Sequence, residues 1–138
     1  MSYTDTFILV AADCPVAAGV VPVARGERKP AHLIQYELLT ARPYHYTGDA
    51  LIFEVHVRHK GIAAREVKAR RAAIWAELFS KPHPCLRESA LPKRYGWGVH
   101  YDRDGKIALY AAGSEEYRRF AAGEGVGKVL PAMRNKRG

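Results

Sequence analysis

Apolar and polar positions fall into short blocks of different period along this chain. Thr6 to Ala11 (Thr-Phe-Ile-Leu-Val-Ala) is a continuous apolar run of strand-forming residues, closed by Cys14-Pro15, and reads as a buried central strand. Pro15 to Lys29 lacks periodicity and carries Gly19, Pro22, Gly26 and the charged cluster Arg25, Glu27, Arg28, Lys29, which predicts a loop. Pro30 suits the first position of a helix, Ala31, Ile34, Leu38 and Ala41 share one face of it, and Pro43 stops it; Leu33 and Tyr36 lie off that face.

Residues 48–60 fit two periods. Phe53 to Arg58 alternates as a half-buried strand would, yet Leu51, Ile52, Val55 and Ile62 also form a helical stripe. Thr47 as a cap and Gly61-Ile62 as a left-handed stop favour the helix. Arg65 to Phe79 is a clearer helix, with Val67, Ile74, Trp75, Leu78 and Phe79 on one side and Glu66, Arg70 and Glu77 on the other, ended by Pro82 and Pro84. Strand-like segments at Trp97–Tyr101 and Lys106–Ala111 flank Asp102-Arg103-Asp104-Gly105, a hairpin signal. Ser114 caps a short helix with Tyr117 and Phe120 on its apolar side. Gly123, Gly125 and Gly127 then introduce a flexible basic tail over about 123–138, a last short helix or a loose end.

These elements predict one α+β domain over residues 1–138. Its small antiparallel sheet, the N-terminal strand plus the C-terminal hairpin, has four to five helices packed on one side. The balance of 48% hydrophobic and 26% charged residues belongs to a globular chain. No apolar run approaches the roughly 20 residues a membrane-spanning helix needs, so no membrane partner is expected. Met1 to Thr6 does not read as a signal peptide, and two cysteines, Cys14 and Cys85, suit free thiols in a reducing, cytoplasmic setting.

The runs Ile34-Gln35-Tyr36-Glu37-Leu38-Leu39, Phe79-Ser80-Lys81, Cys85-Leu86-Arg87 and Leu91-Pro92-Lys93-Arg94-Tyr95-Gly96-Trp97-Gly98-Val99-His100 resemble those of a family of small bacterial proteins of unknown function. The resemblance spans nearly the whole chain and implies a stand-alone domain. It implies no activity, cofactor or catalytic residue.

A net charge of +8 raises the odds of an anionic partner, because a positive field concentrates anions at the surface. Lys93-Arg94-Tyr95-Gly96-Trp97-Gly98-Val99-His100 gathers cations, flat aromatic faces and glycines where a loop enters a strand. Lys93, Arg94, Tyr95, Trp97 and His100 are therefore the candidate site for a small anionic ligand such as a nucleotide or phosphorylated metabolite. The plainer alternative makes Trp97 a core residue and the cations solvated.

Three other constellations compete. His56, His59, His83 and Cys85 are weak metal-ligand candidates, since His56 and His59 share a face only on a helix and the spacings match no standard zinc site. Cys85, near Lys81, His83 and Arg87, is a weak candidate nucleophile, with His56, His59, His83 or His100 as its base. Arg65, Lys68, Arg70, Arg71, Arg118, Arg119, Lys128, Arg134, Lys136 and Arg137 could together face a nucleic acid, although they fit no recognised module. Carboxylates such as Glu37, Asp49, Glu54, Glu66 and Glu77 form no evident acid–base pair. No dinucleotide, phosphate-loop or serine-hydrolase motif is present, and no cofactor is expected. The sequence leaves ligand, reaction and oligomeric state open.

Overall fold

A computed structural model describes residues 3–24 and 26–136; Arg25 and Arg137, counted above among the basic residues, lie outside the described residues. In chain order the elements are β1 (Thr6–Leu9), α1 (Ala31–Ala41), α2 (Gly48–Lys60), α3 (Ala64–Leu78), a 3-10 turn at Leu86–Glu88, α4 (Ala90–Arg94), β2 (Trp97–Tyr101), β3 (Ile107–Ala111), α5 (Glu115–Ala121) and β4 (Lys128–Pro131). The α+β class expected from the sequence holds.

The sheet runs β3-β2-β1-β4. β1 pairs antiparallel with β2, Phe7 opposite His100, and β2 pairs antiparallel with β3, Val99 opposite Leu109. Two details differ from expectation. The tail is not a helix or a loose end over its whole length: Lys128–Pro131 adds to the free edge of β1 in parallel, which makes the sheet mixed. That edge offers unpaired backbone groups, and a Lys-Val-Leu run beyond the glycines reaches it. Beyond β4, the carboxylate of Asp13 accepts hydrogen bonds from the backbone N–H groups of Asn135 and Lys136, both at 3.0 Å.

Helices also cover both faces of the sheet, not one. Strand alternation sends Ile8, Val99, Tyr101 and Ile107 into a core with Ile34, Leu38 and Leu39 of α1 and Leu51 and Val55 of α2. Phe7 and His100 point the other way, where α5 closes over them: Phe120 stacks on Phe7 with centroids 5.1 Å apart, and Tyr117 meets Phe7 edge-on. A strand whose two faces are both apolar needs cover on both.

Residues 48–60 resolve as a helix. Thr47 accepts a hydrogen bond from the Ala50 N–H, and Gly61 ends the helix in the left-handed conformation. In α1 the buried residues are Leu33, Ile34, Leu38 and Leu39, while Ala31 and Ala41 are exposed. The predicted stripe was too narrow, because α1 is wedged against α2, α4 and β3 and is covered from more than one side. α3 stands apart. It packs on Phe53 and Val57 of α2 through Ile74, its one buried residue, and its backbone leaves helical geometry at Arg70. No described helix is long and apolar enough to cross a membrane.

Candidate functional site

The Lys93–His100 segment is divided by its own geometry. α4 is short, capped by Ser89, whose hydroxyl accepts from the Leu91 N–H and donates to the Gln35 side chain at 2.7 Å. Its last residue is Arg94, and the Tyr95 N–H closes the turn onto the Ala90 and Leu91 carbonyls. Gly96 follows with φ 77° and touches the Ala18 carbonyl so closely that no Cβ would fit. From there the chain enters β2, and its side chains alternate between the two faces of the sheet.

Trp97 is covered by the long loop. Its indole N–H donates to the Val20 carbonyl at 2.8 Å, the Val20 N–H donates to the Tyr95 carbonyl at 2.8 Å, and the Tyr36 ring lies 5.2 Å away. It offers no open stacking face on that side. His100, three residues on, points to the opposite face against Phe120, at a centroid distance of 4.2 Å. The Lys93 carbonyl accepts from the Asn135 side chain, on the side of the C-terminal segment. Trp97, His100 and Lys93 therefore do not line one hollow.

Arg94 and Tyr95 do line one. They face an open pocket of about 340 Å³ together with Val23, Arg28, Lys29, Pro30, His32 and His59. That volume falls within the range of small-molecule sites, roughly 300–1,000 Å³. Three separate stretches of chain converge there. Arg28 reaches the C-terminal end of α2 and donates to the His59 carbonyl at 2.7 Å. Lys29 pairs with Glu37 at 2.9 Å. His32, in the first turn of α1, stacks on Tyr95 with centroids 5.0 Å apart. Arg94 forms no ion pair among the described residues.

The electrostatics of the pocket are one-sided. Three cations and two imidazoles border it and no carboxylate does among the described residues, while Glu37, outside the lining, partly offsets the charge of Lys29. α1 begins without a side-chain cap, and its start, at Pro30 and His32, borders the pocket. Burial and then the neighbouring Arg94 charge hold His32 below its ordinary pKa, so the neutral ring predominates near pH 7. Its Nε2 is buried and has no hydrogen-bond partner among the described residues. Arg28, Lys29 and His32 escaped the sequence reading because loop, helix start and α4 meet only in the folded chain. One signal was present: Arg-Lys-Pro at a helix start sets cations against the positive end of the dipole, a repulsion that a bound anion would relieve.

The other candidates are dispersed. His56 and His83 face a groove of about 670 Å³ between α2 and α3, His59 borders the basic pocket, and Cys85 lies at a hollow of about 30 Å³ beside Tyr101 that His83 also lines. Among the described residues no three His, Cys, Asp or Glu side chains are grouped to hold a metal. The Cys85 thiol donates only to the Tyr3 hydroxyl, at 3.9 Å, while His83 donates to the Leu78 carbonyl at 2.6 Å. No imidazole is hydrogen-bonded to that thiol among the described residues. The basic residues of α3 and α5 belong to opposite sides of the sheet, since α3 packs on α2 and α5 covers the far face.

Fold and pocket together define a small α+β domain with a basic hollow between a helix start, a helix end and the turn into a central strand. The chain belongs to a family of unknown function, DUF6157, which matches residues 1–138. No curated protein and no solved structure matches it.

Proposed function

We propose that this protein binds a small anionic ligand, a phosphorylated metabolite or nucleotide, in the pocket bordered by Arg28, Lys29, His32, His59, Arg94 and Tyr95. One observation carries the reading: Arg28 and Lys29 of the loop and Arg94 of α4, far apart in sequence, border one open hollow that no carboxylate lines among the described residues, and Arg94 forms no ion pair there. Charge-assisted hydrogen bonds contribute about 1.5–3 kcal/mol each, so two or three of them support binding in the millimolar to micromolar range, roughly. Guanidinium groups suit a phosphate because their donors are planar and paired. Cys14 and Cys85 are both unpaired, which suits a reducing, cytoplasmic setting for this binding. Neither catalysis by Cys85 nor nucleic-acid binding has an observation that favours it over this reading.

A thermal-shift panel of inorganic phosphate, nucleotides and phosphorylated sugars tests it, because a ligand that prefers the folded state raises the melting temperature. The expected result is a dose-dependent rise with at least one phosphate compound. Arg94→Ala should abolish that rise while leaving the melting temperature of the free protein nearly unchanged. A panel with no rise, or an Arg94→Ala protein that responds like the wild type, removes the proposal.

A further inference from the structure

The apolar surface of this protein is distributed unevenly. Only four large apolar side chains are strongly exposed among the described residues, and three of them, Val20, Val21 and Val23, fall within four consecutive positions. They are 43%, 56% and 68% exposed, respectively. Exposure of this kind usually accompanies a loosely held loop, but this run is held. The Val20 backbone donates to Tyr95 and accepts from the Trp97 indole, and Pro22 between the valines is fully buried. Fixing the backbone on both sides of Val21 leaves its neighbours little freedom to turn their side chains inward. Val23 borders the same pocket as Arg28, Lys29 and Arg94.

An inorganic anion has no use for that lip. Water leaves an apolar surface only when another apolar surface replaces it, so a held valine at the mouth of a cationic pocket complements a ligand of mixed character. Tyr95, stacked on His32, adds a flat wall to the same pocket.

Resting on the reading above that the pocket takes an anion, we infer that its ligand is a phosphate monoester with an apolar or aromatic body, the phosphate held by Arg28, Lys29 and Arg94 and the body lying against Val23 and Tyr95. The phosphate fixes the orientation, and the body supplies selectivity over free phosphate. The ligand is a soluble molecule of pocket size, as a hollow of about 340 Å³ suits a molecule and not a bilayer surface.

Calorimetric titration of the full chain with inorganic phosphate and with phenyl phosphate tests this, with wild type, Val23→Ser and Arg94→Ala compared. Phenyl phosphate should bind the wild type about tenfold more tightly than inorganic phosphate, the gain expected from covering one valine-sized apolar surface. Val23→Ser, at an exposed position whose change leaves folding intact, should cut that ratio to about threefold or less without weakening inorganic phosphate. Arg94→Ala should weaken both ligands. Equal affinities for the two phosphates in the wild type overturn the inference and leave the anion reading standing, whereas binding of neither overturns both. A sedimentation arm with vesicles containing phosphatidic acid, itself a phosphate monoester, distinguishes the source: Val23-dependent binding to vesicles with no preference for phenyl phosphate overturns the soluble-ligand assignment.

Discussion

The hydroxyl of Tyr44 lies 2.7 Å from Nδ1 of His100, and it also meets the Tyr110 hydroxyl at 2.7 Å. The bond joins the α1–α2 connection to the central strand, across the edge of the sheet. His100 is only 8% exposed and its Nε2 has no partner among the described residues, so there this hydroxyl is the one polar group that satisfies the ring. Removing it in Tyr44→Phe leaves both imidazole nitrogens and the Tyr110 hydroxyl short of partners. The expected cost is about 1–3 kcal/mol of folding stability, read by urea denaturation. A change below a few tenths of a kcal/mol contradicts that account.

The same histidine makes folding sensitive to acid. Burial holds its pKa below the ordinary 6.5, with Asp102 and Asp5 opposing in part. Between the folded value and 6.5 the unfolded chain binds more protons, so stability is complete above about pH 6.5 and falls as the pH drops through that window. Each such group contributes a slope of up to about 1.4 kcal/mol per pH unit. His32 shifts in the same direction, so His100→Gln should reduce the loss between pH 7 and 5 without abolishing it. An unchanged pH slope in His100→Gln contradicts the assignment.

Gly96 couples the strand entry to the loop over Trp97. Its φ of 77° strains any other residue, and a Cβ there would run into the Ala18 backbone carbonyl. Backbone carbonyls do not yield as side-chain ends do. Gly96→Ala should therefore cost about 2–5 kcal/mol and push the 15–24 segment away from the indole. In a Trp75→Phe background, emission then shifts to longer wavelength as Trp97 loses its cover. Unaltered emission with unaltered stability rules this out.

Asp13 holds the C-terminal segment, accepting from both backbone and side chain of Asn135 and from the Lys136 N–H. Those hydrogen bonds, first among them the Asn135 backbone, keep its pKa below the ordinary carboxylate value. A depressed carboxylate stabilises above its unfolded pKa and stops doing so as the pH falls through its folded value. Asp13→Ala should accelerate amide exchange at Asn135 and Lys136 while the melting temperature hardly moves. Protection that persists there locates the anchor elsewhere.

How far the sequence was legible follows from the range of each interaction. Thr47, Gly61, Ser114 and Asp102-Gly105 act within four residues, and each marks its element boundary as read from the chain. β4 was not legible, because a four-residue edge strand borrows its pairing from β1, more than a hundred residues away. The site divided along the same line. Arg94 and Tyr95 stood out as neighbours in a distinctive run, but Trp97 and His100 belonged to that run only in sequence; strand alternation sends them to opposite faces. Arg28, His32 and His59 become partners only when loop, α1 and α2 have docked. His59 was visible as a histidine with His56, yet the two ended at different hollows.

Arg94 should control the protonation of His32. Two causes depress that imidazole, burial first and the Arg94 charge second, and they are separable by mutation. Arg94→Ala removes the charge and leaves the stacking on Tyr95 and most of the burial, so the His32 pKa should rise toward the ordinary 6.5 without reaching it. Arg94→Lys keeps a cation at the position and should leave the depression largely in place. A bound phosphate does by binding what Arg94→Ala does by deletion: it offsets the positive field, and it can accept a hydrogen bond from a protonated ring. Adding it to the wild type should raise the His32 pKa further than the mutation does, with proton uptake at pH values above the folded-state pKa of the free protein, where its ring is neutral. NMR titration of the imidazole resonances of the three proteins, with and without phosphate, reads each step. If the His32 curve is the same in wild type and Arg94→Ala, the guanidinium does not face the ring, and the converging cations described above are not one site.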